Sequence, residues 1–305
     1  MRNANRTSLG MLPYLCSPFL SRARAFTDLV RFIAAHPLTK HDPVRALVRV
    51  AIWQIRSRIQ REVIIPWVGN QKLCVKRGMT GATGNIYVGL HEFVDMMFVL
   101  HFLRRDDLFL DIGANVGTYS VLGSGVCKAK TLAFEPDPDA AHALRRNIEI
   151  NGLQALVAVH EVVLGALEGE VAFTIGRDTM NRVAKAGERS RILRQKRLDS
   201  MIWSDDPIFA KLDVEGCEEE VLLGGQALLS KDSLQVLALE TVTARSGEIL
   251  LKNRFAQAFY DPFQRLLSTD PISITSSNAL FVRDLSFVRN RLREAPKIHV
   301  LNDLI

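Results

Sequence analysis

Residues 111–120, which read DIGANVGTYS, decide the fold of this chain. An apolar run, 108–110, ends at Asp111, and a turn containing Gly113 and Gly117 leads into residues that can open a helix. Glycine has no Cβ atom, so a ligand can touch the backbone of such a turn, and the first turn of a helix offers free N–H donors. The stretch therefore predicts a strand, a tight glycine loop and a helix that form one wall of a ligand pocket.

A second acid stands at the end of the next apolar run. Residues 131–134 (TLAF) precede Glu135, whose carboxylate can accept hydrogen bonds from both hydroxyls of a ribose. The dinucleotide pattern G-x-G-x-x-G is not met here, and the loop has no Lys before Ser or Thr to hold a phosphate. Asp111 would repel a pyrophosphate but suits a cationic amine. The pocket therefore favours S-adenosyl-L-methionine, which carries an ammonium and a sulfonium and no phosphate.

Four segments carry a family resemblance: DIGANVGTYS, FEPDP (134–138), RLDSM (197–201) and KLDVEGCE (211–218). In this order they resemble the FkbM family of S-adenosylmethionine-dependent methyltransferases, over roughly residues 62–285. The resemblance implies an α/β fold with a Rossmann-like, seven-stranded class I methyltransferase sheet that has one antiparallel strand. It also implies methylation of a hydroxyl oxygen on a sugar, glycolipid or polyketide-type acceptor, but it does not name the acceptor.

Nine residues are predicted to bind the cofactor. We expect Asp111 near the methionine ammonium and Glu135 on the ribose hydroxyls. Glu92 matches a glutamate of the family, although a helix N-terminus alone would also favour an acid there. The nine are Glu92, Asp111, Gly113, Ala114, Asn115, Gly117, Glu135, Pro136 and Asp137.

The catalytic residues are predicted among acids that end later strands. Asp213, the first choice for the base, and Glu215, the second, lie in LDVEG at the family's fourth motif; Glu240 can support either one. A carboxylate within hydrogen-bond reach can take the proton of an acceptor hydroxyl. Lys211 precedes Asp213 by an even step on a strand, so both face one side, and we interpret it as a structural ion-pair partner.

The chain divides into a basic N-terminal helical arm (1–61), the methyltransferase domain (62–285) and a C-terminal tail (286–305). The arm has a net charge of +9 against −3 for the other 244 residues, which argues against a nucleic-acid partner. One arm helix, capped by Asp42 and Pro43, has a helical apolar stripe. We expect this stripe to pack on the core or on a second copy in a homodimer; the alternative is peripheral contact with anionic lipid. The stripe consists of Val44, Leu47, Val48, Ala51, Ile52, Ile55 and Ile59.

Alternating strands and helices follow a β-hairpin at 62–77. Strands are predicted at 108–112, 130–135, 155–164, 170–176, 208–213, 234–240, 262–267 and 278–284. Helices are predicted at 92–103, 138–151, 217–229 and 247–258, with a looser stretch at 78–85. The arginine-rich segment 177–204 interrupts the pattern, and we hypothesise that Arg189, Arg191 and Arg194 in it attract an acidic acceptor.

Composition excludes several other classes. Four scattered cysteines without a CxxC pair and seven histidines without ligand spacing predict free thiols and no metal. The longest early uncharged run has 15 residues with two prolines, too short for a bilayer span, so a cytoplasmic protein is expected, with the inner membrane face as the alternative. Two rival functions remain: a nicotinamide-dependent oxidoreductase and a non-catalytic binding module at the membrane surface.

Overall fold

The computed structural model describes residues 18–176, 181–185, 187–201 and 205–305. At its N-terminal end lie helices α1 (Pro18–Ala35) and α2 (Pro43–Ile59), followed by the hairpin strands β1 (Val63–Pro66) and β2 (Lys72–Val75). The Asp42 side chain accepts a hydrogen bond from the Arg45 N–H, so the predicted cap of α2 is present. The predicted helical arm and hairpin are therefore both observed.

Two helices connect the hairpin to the central sheet. Helix α3 (Thr80–Val88) occupies a stretch that the sequence predicts to be loose, and it packs against α2. The two glycines within α3 explain why the sequence does not predict a helix there. Helix α4 (Phe93–Phe102) agrees with the predicted 92–103. Its residues are nearly all buried, so it lies inside the molecule against one face of the sheet.

The central sheet has eight strands: β3 (Leu108–Ile112), β4 (Lys130–Phe134), β5 (Val157–His160), β9 (Pro207–Leu212), β10 (Val236–Leu239), β11 (Ala256–Asp261), β12 (Leu266–Ser268) and β13 (Ala279–Val282). Outside it lie β6 (Val163–Leu164), β7 (Gly169–Thr174) and β8 (Ser190–Lys196). The sheet order is β12-β11-β13-β10-β9-β3-β4-β5. Strand β13 runs antiparallel to both neighbours. The doubly wound, Rossmann-like sheet is confirmed, with eight strands in place of the predicted seven. The strand predicted at 262–267 is a turn that leads into β12, and β11 precedes it where the sequence predicts the end of a helix.

Helices cover both faces of the sheet. They are α5 (Thr118–Ser120), which continues as a π-helix (Val121–Val126), α6 (Pro138–Ile150), α7 (Glu218–Leu223), α8 (Gln226–Ser230), α9 (Ala244–Lys252) and α10 (Leu285–Arg293). The predicted helix 217–229 is broken in two near Gly224, where a Cβ would collide with the Gly165 carbonyl oxygen. The predicted helix 247–258 ends at Lys252, and strand β11 begins where its last turn was expected.

The arginine-rich segment is more regular than the sequence suggests. Strand β8 pairs antiparallel with β7 and parallel with β6, forming a small sheet beside the main one. The predicted strand 155–164 is therefore two strands, β5 and β6, that belong to different sheets. The charged residues of 177–197 explain why the sequence does not predict β8. Positions 177–180, 186 and 202–204 of the segment lie outside the described residues.

The C-terminal segment, for which the sequence predicts a tail, packs into the molecule. Helix α10 buries Val288 and Leu292, and the short strands β14 (His299–Val300) and β15 (Asp303–Leu304) form a hairpin. Val300 and Ile305 join the core cluster around α4. Helix α10 has nine residues, and charged side chains separate its few apolar ones. For this reason its sequence does not show a clear apolar face.

Helix α2 packs on the core with the face opposite to the predicted apolar stripe. Its buried residues are Ala46, Val50, Trp53 and Ser57. Val44, Val48, Ala51, Ile52, Ile55 and Ile59, which belong to the predicted apolar stripe, are exposed. None of the helices in the described part of the chain combines the length and apolar character that crossing a bilayer requires.

Candidate functional site

The loop after β3 brings its backbone against the end of β9. Gly113 has φ +79°, and a Cβ atom there would lie 1.8 Å from the carbonyl oxygen of Asp213. The N–H groups of Gly113 and Ala114 donate to the Phe134 carbonyl at 2.9 and 3.0 Å, which ties the loop to β4 as well. Only glycine fits at position 113, as its place in the sequence motif suggests.

Glu135 braces the mouth of this loop. One carboxylate oxygen accepts from the Asn115 N–H and the other from the Asp137 N–H, both at 2.8 Å. The side chain is only 7% exposed. Burial raises the pKa of Glu135 to about 7, although the two N–H donors favour its ionised form. The carboxylate is therefore held in place by the backbone while it lines the cavity beside the loop.

Asp111 lies behind the cavity wall. It is 1% exposed, and its Oδ2 accepts a hydrogen bond from Ser120 Oγ at 2.6 Å. Among the described residues its Oδ1 has no partner. Burial raises the pKa of Asp111, and the nearby Lys211 ammonium partly offsets that effect. A buried carboxylate oxygen without a partner is costly, so this position calls for a donor.

Two further predicted cofactor residues support the site from behind. Gly117, with φ +85°, begins α5 where a Cβ would lie 2.2 Å from the Leu144 side chain. Asp137 caps α6 through the N–H groups of Asp139 and Ala140 and accepts from Asn181 Nδ2 at 2.8 Å. Neither Gly117 nor Asp137 lines the cavity, whereas Pro136, which precedes Asp137, does. Their geometry is that of positioning residues.

Glu92 faces the cavity rather than capping a helix. It precedes α4, but its side chain makes no cap hydrogen bond there. Instead its Oε2 accepts a hydrogen bond from the Tyr119 hydroxyl at 2.7 Å. Burial raises the pKa of Tyr119 well above its ordinary value, and the Glu92 charge adds to the shift, so the phenol stays a donor. Tyr119 has no signal in the sequence beyond its place just after Gly117.

The carboxyl ends of β9 and β10 bring three acids together, and one of them, Asp213, pairs with Lys211. Lys211 Nζ donates to Asp213 Oδ2 at 2.6 Å and lies 4.5 Å from the centre of the Tyr119 ring. Oxygens of Asp213, Glu215 and Glu240 lie within 4.8 Å of one another. Such a triad can hold a divalent cation, but the buried ammonium already supplies positive charge beside it.

The charges in this cluster divide unequally. Burial disfavours ionisation of Asp213, but the Lys211 charge and hydrogen bonds from Lys211 and Glu240 outweigh it, so the pKa of Asp213 is lowered. Burial and the adjacent Asp213 charge raise the pKa of Glu240. Burial, followed by the Asp213 charge, also raises the pKa of Glu215. Asp213 therefore stays ionised, while Glu240 is the pair's proton carrier.

These groups line one cavity of about 310 Å³ at the carboxyl edge of the sheet, hereafter the first cavity. Open α/β sheets bind ligands at the carboxyl ends of their parallel strands, which is where this cavity lies. Nine of the twelve predicted site residues line it, and Asp111, Gly117 and Asp137 lie behind it. The nine are Glu92, Gly113, Ala114, Asn115, Glu135, Pro136, Asp213, Glu215 and Glu240.

A second cavity, of about 420 Å³, adjoins the first at Tyr119, Lys211 and Glu240. Helix α4, strands β9 to β11 and residues 272–280 form its walls. Apolar side chains such as Phe98 and Phe209 dominate it. The sequence gives no signal for this cavity, because segments about 180 residues apart in the chain build it together.

The arginine-rich segment contributes to the first cavity through other residues than expected. Asn181 and Val183 line it. Arg189, Arg191 and Arg194 line neither cavity in the part of the chain that the structure describes. The structure thus gives no support to the hypothesis that these three arginines hold an acidic acceptor.

The central part of the chain matches a known family model. Residues 111–255 match the methyltransferase FkbM domain, which begins at the glycine loop and ends just before β11. The hexuronic acid methyltransferase AglP of Haloferax volcanii is 31% identical over 125 residues. That alignment covers 40% of this chain and 51% of AglP, so the chain spans about half the length of the curated relative it matches.

Solved structures give only distant likenesses. Precorrin-6y C5,15-methyltransferase of Geobacter metallireducens is 17% identical with a TM-score of 0.36, covering 62% of this chain and 83% of the other. A Streptococcus mutans protein solved in complex with SAH is 13% identical with a TM-score of 0.34, covering 61% of this chain and 93% of the other. With scores this low, neither likeness bears on the function of this chain.

Proposed function

We propose that this protein, whose residues 111–255 belong to the FkbM methyltransferase domain family, transfers a methyl group from S-adenosylmethionine to a hydroxyl oxygen of a sugar-bearing acceptor. One observation carries the proposal. Glu135, Asp213 and Glu240 follow three parallel strands of one sheet and line one cavity, beside a loop that only Gly113 allows, with Asp111 of the neighbouring strand behind the cavity wall.

The residues of the first cavity fit this cofactor. Glu135 is held by two backbone N–H groups in a position to accept from the ribose hydroxyls. Asp111 has an unpartnered buried oxygen that suits a cationic amine nearby, reached directly or through water. Glu92 adds a second negative group on the same side. When bound, the cofactor supplies an electrophilic methyl group attached to a positively charged sulfur.

The proton of the acceptor hydroxyl goes to the Asp213–Glu240 pair. The sequence favours Asp213 as the base, but its lowered pKa makes Asp213 alone a weak proton acceptor. The raised pKa of Glu240 makes it the stronger base of the pair, so the hydroxyl proton goes to Glu240 in its ionised form and from there to solvent. Glu215 is the third carboxylate within reach. The Lys211 ammonium, paired with Asp213, offsets part of the negative charge of these carboxylates.

The acceptor class is drawn from the family resemblance and from the relative. AglP is named for a hexuronic acid, and a hydroxyl on such a sugar is a suitable oxygen for this site. Positioning that hydroxyl against the methyl group accounts for much of the rate, because effective molarities for well-oriented groups reach about 10⁵ M or more. Glycolipid and polyketide acceptors with an accessible hydroxyl use the same chemistry.

The test is methyl transfer from S-adenosylmethionine labelled with ¹³C in its methyl group to a panel of methyl glycosides and glycosyl uronic acids. The expected product carries the label on an ether carbon, as identified by NMR. NAD⁺ with the same panel serves as the control for the oxidoreductase alternative. Label recovered only as a methyl ester would disprove hydroxyl methylation, and reduction of NAD⁺ would disprove methyl transfer as the function.

A further inference from the structure

The second cavity contains a buried amide that bonds to nothing in the described chain. Asn278, which precedes β13, is 4% exposed, and both its Oδ1 and its Nδ2 lack a hydrogen-bond partner among the described residues. The side chain lines the second cavity. A buried amide that forgoes both its bonds costs stability unless another molecule supplies them.

A second buried asparagine shows what a structural amide looks like in this fold. Asn147 in α6 is fully buried, accepts from the Cys74 N–H at 2.7 Å and donates to the Val116 carbonyl at 2.9 Å. Its amide thus ties strand β2 to the glycine loop. Asn278 has the same burial without any such bond, so internal structure does not explain its polarity.

The residues around Asn278 indicate which kind of molecule could bond to its amide. The aromatic rings of Phe98, Phe209 and Phe259 line the same cavity, which reaches Glu240 at the first cavity. Asp95 accepts hydrogen bonds from the Ser276 hydroxyl and the Ser277 N–H, and this fixes the segment that carries Asn278 against α4. A pocket with mainly apolar walls and a few polar groups, here the Asn278 amide and the Glu240 carboxyl among them, is typical of a site for a small molecule.

We propose that the second cavity binds the methyl acceptor as a ring that bears neighbouring hydroxyl groups, with the Asn278 amide donating to one hydroxyl and accepting from the next. An amide offers a donor and an acceptor side by side, which matches a vicinal diol. The aromatic walls cover the apolar C–H face of the ring. A further hydroxyl of that ring then points to Glu240, where the two cavities meet. This inference rests on the proposed function.

Stability of the free protein tests the first half of the proposal without any acceptor. Asn278→Leu keeps the branched shape and removes the unpaired polar atoms, so we expect its Tm to rise by about 2–4 °C. The matched control Asn147→Leu removes satisfied bonds at equal burial, and its Tm should fall. A fall for Asn278→Leu like that of the control would overturn the proposal, because Asn278 would then have an internal partner.

Binding tests the second half. The probes are the methyl β-glycosides of glucose, galactose and glucuronic acid, with cyclohexylmethanol as a ring without a diol, titrated in the presence of SAH by saturation-transfer NMR. We expect at least one glycoside to bind wild-type protein, cyclohexylmethanol not to bind, and Asn278→Leu to weaken the glycoside at least tenfold with SAH affinity unchanged.

The outcomes separate this proposal from the proposed function. Protein that binds SAH but none of the glycosides, or binds them equally well after Asn278→Leu, overturns the cavity assignment and leaves the methyltransferase standing. Glycoside binding that depends on Asn278 in a protein with no affinity for SAH supports the sugar site and contradicts the proposed cofactor.

A separate observation concerns the far end of the molecule. Helix α2 exposes Val44, Val48, Ile52, Ile55 and Ile59, each by at least half, in one row opposite its buried face. Arginines flank this row on both sides, Arg45 and Arg56 on one and Arg58 on the other, whereas Arg49 donates to the Tyr87 carbonyl oxygen. An apolar groove of about 370 Å³ between α2 and the β1–β2 hairpin opens next to it.

We infer that this exposed face of α2 lies on an anionic lipid surface. An apolar stripe bordered by arginines is the pattern of a helix that lies in the interface of a membrane. Residues 18–61, the described part of the arm, hold nine Lys or Arg against Asp28 and Asp42, and this excess positive charge orients that end of the molecule toward negative headgroups. The charge asymmetry favours lipid over a second copy, because two such faces would bring their arginines together.

Vesicle flotation tests this inference. Wild-type protein should float with phosphatidylcholine vesicles that contain phosphatidylglycerol and stay behind with phosphatidylcholine alone. Ile52→Ser with Ile55→Ser should abolish flotation, while the control Leu251→Ser, at an equally exposed position on α9, should leave it unchanged. Absence of flotation, or a dimer in light scattering that the double variant dissociates, would overturn the lipid assignment.

Discussion

The two adjoining cavities differ in how their polar groups are satisfied and in how the chain builds them. In the first cavity Glu135 is held by the backbone N–H groups of Asp137 and of Asn115 in the glycine loop, both within 20 residues of it in sequence. In the second, Asn278 lies among residues from α4, three strands and a connecting segment, and its amide is unpaired among the described residues. A short motif can encode the first arrangement, whereas only the folded chain creates the second. The contrast predicts that cofactor binding and acceptor binding can be disrupted independently.

The largest effect is expected where the cavities meet. Asp213→Asn removes the ionised partner of Lys211 and the proton path, so kcat should fall by about 10²–10⁴-fold while the Kd of SAH changes little. Glu240→Gln, which leaves the Lys211–Asp213 ion pair intact, should show a similar loss if the pair acts together. Single-turnover rates on the acceptor found in the labelling experiment provide the measurement. Unchanged rates in both variants would remove the pair from the mechanism.

The glycine loop tests whether the first cavity depends on backbone packing. Gly113→Ala places a methyl group against the Asp213 carbonyl at a positive φ, so we expect a loss of about 2–5 kcal/mol in the free energy of unfolding. Gly152→Ala is the matched control, with a positive φ and open space around it, and should cost about 1–2 kcal/mol. Urea unfolding measures both. Equal losses would show that the close approach at Gly113 is tolerated.

Glu135 gives cofactor binding in the first cavity a pH dependence. Its pKa of about 7 in the free protein means that the accepting carboxylate is present above pH 7 and protonated below it. The Kd of SAH should therefore rise as the pH falls below 7, by up to about tenfold per unit. Glu135→Gln should weaken binding by about 10–100-fold and remove this dependence. Calorimetric titration of both proteins with SAH at pH 6 and 8 measures this dependence. If the Kd of the Glu135→Gln variant still depended on pH, the titrating group would not be Glu135.

The smallest effect is expected from the arginine-rich segment. Replacing Arg189, Arg191 and Arg194 together with Gln should change the acceptor KM by less than about twofold, because their side chains are outside both cavities. Steady-state kinetics on the same acceptor measures it. A selective rise in KM would restore the hypothesis that they attract an acidic group and would extend the acceptor site beyond the second cavity.

Local sequence is a good guide to this fold where one strand and one loop decide the structure. The strand ending at Asp111, the turn at Gly113 and the acid at Glu135 all lie where the motif predicts. What the motif does not reveal is which side chains reach the cavity: Asp137 caps a helix, and Asp111 lies behind the wall. The role of each residue as a binding or catalytic group stays a prediction.

Tertiary context explains where sequence prediction failed. Helix α2 has two apolar faces, and the buried one includes Ala46 and Ser57, which a hydropathy pattern ranks below the exposed isoleucines. Strand β8 buries none of its residues and exposes Ile192 while half-burying Arg191, so its sequence shows no alternation of polar and apolar residues. Asn278 could not be identified from sequence. Its burial and its lack of partners arise only when α4 packs against the segment that precedes β13.

The most direct test of the central claim is a calorimetric titration of the purified protein with SAH, with NAD⁺ as the competing ligand. The account predicts one SAH per chain, weakened by Glu135→Gln and unaffected by Asn278→Leu, and no heat from NAD⁺. Binding of NAD⁺ in place of SAH, or no binding of SAH at all, would contradict it.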